Sequence, residues 1–178
     1  MTTRFFMELQ LSESGAYLKG SEEDLEEVHE EAYYGKIKDN RLELAPSEVT
    51  HLVERGLIEV SKGFDELYDF FSEKDSEFSE KYAAYSDLRE RGLIVKTGFK
   101  FGAHFRVYER GVNPYKDDKG RKDHTKFVVH AVRENKEMSF QEMSRAVRLA
   151  SNIRAKMLWA VVDSEKDVTY YKVQHTAP

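Results

Sequence analysis

The chain has 178 residues, 40% of them hydrophobic and 12% aromatic, enough to build the core of one ordinary domain or two small ones. The absence of cysteine excludes disulfides, thiolate metal sites and cysteine nucleophiles. No apolar run approaches the ~20 residues that span a bilayer, and the opening MTTRFFMELQ lacks a signal-peptide core. A soluble, cytoplasmic protein with no membrane partner is expected. Net charge is −5, unevenly spread: residues 1–75 carry 8 Lys and Arg against 19 Asp and Glu, and residues 76–178 carry 20 against 14. An acidic half joined to a basic half suggests two units with different tasks, and the basic one is suited to phosphates.

Residues 4–20 alternate apolar and polar and carry Ser-Gly and Lys-Gly turns, which predicts a strand or hairpin. Ser21 followed by acidic residues predicts a helix start. Turns are expected at Tyr33-Tyr34-Gly35 and Asp39-Asn40, and Pro46-Ser47 opens a helix that stops near Gly56. A short strand at Leu57 to Val60 precedes a helix from Gly63 to about Phe78, with Phe64, Leu67, Tyr68 and Phe71 on one stripe. Residues 80–91 form the next helix, ending at Gly92. The apolar period then changes to two, and three strands follow at Leu93 to Gly98, His104 to Tyr108 and Lys126 to Val132. Ser139 with Glu142 makes a capping box opening a helix with Phe140, Met143, Val147, Ala150 and Ile153 facing a core. Met157 to Val162 and Val168 to Val173 are the last strands. The expected fold is α+β: a small helix-rich N-terminal α/β domain (1–79, acidic, serving assembly) and a C-terminal domain (80–178, basic) with a mixed sheet flanked by helices.

Three groups in the basic half could carry chemistry. Tyr108 ends a strand, His124 follows a basic loop and opens a strand, and Arg145, Arg148, Arg154 and Lys156 are assigned to one helix, on which Arg148 lies two turns below position 155. A metal-free ribonuclease needs a base for the 2′-hydroxyl, an acid for the leaving 5′-oxygen and a cation for the pentacoordinate phosphate, and these residue types are suitable. Each also has an ordinary reading as a packed Tyr, a structural His or a solvated helix face. His104 opens the strand leading to Tyr108 and so lies near it, whereas His130 alternates into packing. No pair of histidines has metal-ligand spacing, and there is no phosphate-binding or dinucleotide glycine motif. No cofactor is expected.

The run YSDLRERGLIVKTGFKFGAHFRVYERG, residues 85–111, resembles the signature of the tRNA-splicing endonucleases, close to Y-x-D-L-R-x-R-G-Y-x-V-K-T-G-x-K-[YF]-G-x-D-F-R-x-Y. The likeness continues in His124-Thr-Lys-Phe-Val-Val, Arg148-Leu-Ala and Leu158-Trp-Ala-Val-Val-Asp163, strongly over residues 80–178 and only in layout over 1–79. It implies cleavage of precursor tRNA at bulge–helix–bulge junctions, leaving 2′,3′-cyclic phosphate and 5′-hydroxyl ends without metal and without acting on DNA. It further implies Tyr108 as general base, His124 as general acid and Arg148 as a clamp on a flipped base; Arg106 is a further RNA-binding candidate.

Two departures bear on this. The family's V-R-K, which carries its third catalytic residue, is Ile153-Arg-Ala-Lys156 here, so Ala155 takes the lysine position. Three readings stay open: an engineered Lys→Ala change, a natural non-catalytic subunit, or Lys156 reaching the phosphate instead, although a one-residue shift turns a helical side chain by ~100°. The other departure is the loop from Gly111 to Asp123, lengthened and bearing Lys116, Lys119, Arg121 and Lys122, either a solvated insertion or an extra RNA contact that widens the range of introns cut. The resemblance also implies a homotetramer (a dimer of dimers) or half of a heterotetramer, with Asp163 to Asp167 inserting into a neighbour's basic cleft and Val168 to Val173 pairing with its copy. The rival functions are a structural subunit that cuts nothing and an unrelated RNA-binding module.

Overall fold

The computed structural model describes residues 5–115 and 124–176. The chain is α+β and divides into two compact units, one through Phe78 and one from Ser79 onward. In the first unit, β1 (Phe5–Phe6) is followed by the hairpin β2 (Glu8–Ser12) and β3 (Gly15–Lys19). Helix α1 (Glu22–Glu26) starts at Ser21, whose hydroxyl accepts the Asp24 N–H, and runs into a π-helical turn at Glu27–Glu31. Strands β4 (Lys36–Lys38) and β5 (Arg41–Leu44) meet at Asp39 and Asn40, both at positive φ, the backbone a tight hairpin turn requires. Next come α2 (Pro46–Glu54), β6 (Ile58–Glu59) and α3 (Phe64–Lys74). One antiparallel sheet has the order β2-β3-β5-β4, and β1 pairs in parallel with β6. Buried Glu48 of α2 ties the unit together by accepting the N–H groups of Gly35 (3.0 Å) and Ala45 (2.9 Å).

The helix expected from Gly63 to about Phe78 ends earlier, at Lys74. Asp75 is extended, its carboxylate accepts the Glu77 N–H, and its carbonyl accepts the Phe78 N–H that begins the next helix. A short acidic side chain competing for backbone donors breaks the run that the apolar stripe alone would continue.

The second unit contains α4 (Phe78–Glu90), β7 (Ile94–Thr97), β8 (Phe105–Tyr108), β9 (Phe127–Arg133), α5 (Phe140–Asn152), β10 (Lys156–Val162) and β11 (Val168–Val173). The strands form a mixed sheet, β11-β10-β9-β8-β7, in which only β9 and β10 are parallel, with α5 as the crossover that a parallel pair needs. The helices cover opposite faces. Helix α4 meets one face through Tyr85 against Phe105, and through Asp87, which accepts from Tyr170 Oη (2.7 Å) and Arg91 Nε (2.7 Å). Burial, then the bond to Asp87, pushes the Tyr170 phenol upward, and Asp87 likewise raises Arg91. The Arg91 carbonyl in turn accepts from the Arg110 guanidinium. Asp87→Ala strands these donors and is expected to destabilise the protein by about 1.5–3 kcal/mol in denaturant unfolding.

Helix α5 covers the other face, where Val128, Val147, Ala150, Ala155, Met157 and Trp159 form the core. Its capping box closes as expected: Glu142 accepts the Ser139 N–H (2.8 Å), the Ser139 hydroxyl accepts the Glu142 N–H (3.2 Å), and the first of these holds the Glu142 carboxyl below its usual range. Phe140, expected in the core, is 87% exposed, because at the first helical position it points off the end of the helix rather than onto the sheet.

The helix also ends before the residues assigned to its last turn. Arg154 stands at φ +58, its N–H bonds Ser151 O (3.0 Å) and the Ala155 N–H bonds Ala150 O (2.9 Å), which is a Schellman cap with Arg154 in the place usually held by glycine. Arg154→Gly relieves that left-handed backbone and is expected to add about 0.5–1 kcal/mol of stability. A rise in the denaturation midpoint checks it. Among the described residues no helix is long and apolar enough to cross a membrane.

Candidate active site on the α5 side of the sheet

Successive strand residues face opposite sides of a sheet, so the strand register assigns each candidate to a face. Tyr108, the last residue of β8, lies opposite Ile94 and is 2% exposed. Arg106 stands two residues earlier on the same face, opposite Lys96. Its Nη1 donates to Tyr108 Oη (3.2 Å), its Nε donates to Thr97 O (3.1 Å), and its guanidinium lies over the Phe101 ring at 5.0 Å. Stacking and two hydrogen bonds fix this planar cation beside the phenol. Lys96, also buried, donates to Tyr115 Oη at 2.8 Å. This face packs against α5, because Val128, opposite Arg106, belongs to the α5 core.

His124 is exposed and sits in a bend three residues before β9, not in the strand itself. The Lys126 N–H bonds Val107 O (2.8 Å), so the segment that carries His124 enters the sheet at the end of β8 where Tyr108 sits. Arg148 is exposed on α5 and, with Arg145, Leu149, Ser151 and Asn152, lines a shallow groove of about 370 Å³. Lys116 and Lys119, with Arg121 and Lys122, lie outside the described residues.

Positions 155 and 156, expected on the helix, are not helical: Ala155 follows the Schellman turn and Lys156 begins β10. The relevant geometry is the alternation of extended chain, not a 100° helical step. Ala155, 8% exposed, packs in the α5 core with Val128 and Met157, on the Tyr108 side. Lys156 is exposed, and its partner Phe127 is in turn opposite Val107, which places it on the α4 face. Lys156 and Tyr108 therefore lie on opposite faces of the sheet. Arg154, not glycine or asparagine, occupies the left-handed position that ends α5, so the usual stop signal is missing at that place.

Several signature residues prove to be scaffold. Gly98 has no room for a side chain: a Cβ there would lie 2.9 Å from Ala103 O and from Phe105 N and C. Asp163 Oδ1 accepts the N–H groups of Glu165 (2.9 Å) and Asp167 (3.0 Å) and so shapes the β10–β11 turn. His104 stands where the quoted signature has Asp, and its Nδ1 accepts the Ala131 N–H (3.0 Å), a bond a carboxylate can also make. Its ring meets His130, which stacks on Trp159. Arg106 and Tyr108 share a face by two-residue alternation on β8, whereas the contact of Lys96 with Tyr115, in the loop beyond β8, had no signal in residue spacing. Among the described residues no cluster of three or more His, Asp or Glu is arranged to hold a metal ion.

The sequence of residues 78–170 matches the family model described as tRNA intron endonuclease, catalytic C-terminal domain, and residues 7–70 match that described as its N-terminal domain. The chain is similar to a tRNA-splicing endonuclease of Thermococcus gammatolerans, 40% identical over 83% of this chain and 85% of the relative. One from Thermococcus onnurineus is 36% identical over 94% and 95%, and one from Methanothermobacter thermautotrophicus 40% over 85% and 87%. Two domain matches in order and relatives aligned along most of both chains place this protein in the tRNA intron endonuclease family.

Proposed function

We propose that this chain is a metal-independent endoribonuclease that excises introns from precursor tRNA at bulge–helix–bulge junctions, and that residues 80–178 form the catalytic domain and 1–79 an assembly domain. Tyr108 takes the proton from the 2′-hydroxyl beside the scissile phosphate. The 2′-oxygen bonds to phosphorus, the bond to the 5′-oxygen breaks, and His124 protonates the departing oxygen. The products are a 2′,3′-cyclic phosphate and a 5′-hydroxyl. A 2′-hydroxyl nucleophile makes DNA a non-substrate. The observation that carries this reading is the Arg106–Tyr108 pair, 3.2 Å apart, which sets a fixed cation beside the oxygen that receives the proton. Arg148 holds an unpaired base, and Lys116 and Lys119 extend the RNA contact. Two such sites are needed to cut both ends of an intron, so the chain works as a homo-oligomer or beside a homologous subunit, with the outer strand β11 as the pairing edge.

Ala155 favours a second reading, a structural subunit with no activity of its own, because the position expected to carry a cation holds a methyl group packed in an apolar cluster. The test is incubation of the chain alone, in EDTA, with a bulge–helix–bulge RNA and analysis of the ends. Slow release of fragments with cyclic phosphate ends supports the enzyme. No cleavage by the chain or by its Ala155→Lys variant supports the structural subunit.

A further inference from the structure

Among the described residues, Phe99 is the most exposed large apolar side chain, at 91%. Single exposed hydrophobic residues are common on protein surfaces and usually mean nothing. The setting of this one is different. It sits on a single 3-10 turn, Phe99–Phe101, closed by four backbone hydrogen bonds: Gly98 N–H to His104 O (2.9 Å), Phe101 N–H to Gly98 O (2.8 Å), Gly102 N–H to Phe99 O (3.0 Å) and Ala103 N–H to Gly98 O (3.3 Å). Gly98 admits no Cβ and Gly102 stands at φ +61, so both ends of the turn are specified by glycine. The ring is therefore held outward by a rigid backbone.

The turn also lies between the two parts of the candidate site. On one side, Phe101 lies under the Arg106 guanidinium, which bonds Tyr108 Oη. On the other, a Cβ at Gly102 would touch Leu149 Cδ2 at 3.7 Å, and Leu149 lines the groove with Arg145 and Arg148. Lys100, next to Phe99, is exposed, as are Arg145 and Arg148. An outward aromatic ring on a turn that carries Lys100 and adjoins the arginine-lined groove suits a nucleobase, which stacks while its phosphates meet the positive charge. An apolar protein partner would have to leave those cations unpaired.

From this we infer that Phe99 is a base-stacking platform for an unpaired nucleotide of the RNA substrate, adjacent to the Tyr108 site. The inference rests on the functional reading above and adds to it a recognition residue that acts through the base and not through the phosphate. A fully paired helix has no base to offer the ring, so Phe99 discriminates bulged from continuous RNA.

The test is equilibrium binding in EDTA of three RNAs blocked by a 2′-deoxy sugar at the cleaved nucleotide: a bulged helix with 2-aminopurine in the bulge, the same helix with abasic bulge positions, and a fully paired helix. Phe99→Ala is expected to weaken the bulged RNA about tenfold and to leave the abasic and paired RNAs unchanged. Phe99→Trp is expected to retain the affinity and the 2-aminopurine quenching of the unaltered chain. An equal loss on all three RNAs, or no loss on the bulged one, overturns the inference while the functional reading stands. A loss on all three accompanied by a change in sedimentation coefficient overturns it in favour of a contact between copies. Failure of the unaltered chain to bind any of the three overturns the functional reading and the inference together. The side chain is outside the core, and thermal unfolding of both variants checks that the fold is retained.

Discussion

Replacing Ala155 with lysine is expected to raise the single-turnover rate of intron cleavage by about 10²–10³-fold, the usual worth of one fixed donor facing the charge that develops in a transition state. Ala155 packs on the α5 side of the sheet, the Tyr108 side, and its backbone is held by the bond from its N–H to Ala150 O. A lysine there keeps that bond, runs its aliphatic stem along the apolar cluster and carries its ammonium outward. Crowding the cluster is expected to cost about 1–3 kcal/mol of stability. Lys156→Ala is the matching control and is expected to leave the rate unchanged, because Lys156 stands on the α4 face. If Lys156→Ala abolished cleavage while Ala155→Lys added nothing, the assignment of faces would be wrong.

Tyr108→Phe, made in the Ala155→Lys background, is expected to lower the rate by about 10²–10⁴-fold, the range for a positioned general base. The ring stays buried and its packing is preserved, so unfolding should barely change. The guanidinium of Arg106 loses one acceptor but keeps Thr97 O and the Phe101 ring. His124→Ala should cost a similar factor, and the double variant little more than either single one, since in the proposed mechanism base and acid serve one displacement. Additive losses would show that the two side chains contribute to the transition state independently rather than as a unit.

Much of the fold was legible because local chemistry and tertiary structure agree. The Ser139 capping box, the paired positive-φ residues at Asp39 and Asn40 and the change of period after Gly92 each mark an element where it is found. The failures have a common cause. At Asp75 and Arg154 an element ends on a residue without a strong stop signal, held there by backbone hydrogen bonds that no periodicity records. Phe140 has helical spacing but sits too early on α5 to reach the core. For the site, Tyr108 and His124 stood out by residue type and by resemblance, but their surroundings did not. The Arg106–Tyr108 contact follows from two-residue alternation on β8, and the separation of Ala155 from Lys156 follows from the β9–β10 register. The second relation appears only once strands are paired. Conversely, Asp87, Gly98 and Asp163, prominent in the family-like runs, do structural work in the turns and in the contact of α4 with the sheet.

The claim on which the rest depends is that the scissile phosphate binds on the α5 face. Photocrosslinking tests it directly, using a bulge–helix–bulge RNA with 4-thiouridine beside a 2′-deoxy-blocked cleavage site and peptide mapping by mass spectrometry. Crosslinks within residues 99–108, at His124 or within 145–155 are the predicted result. Crosslinks to α4, Lys156 or Tyr170, on the opposite face, would contradict it.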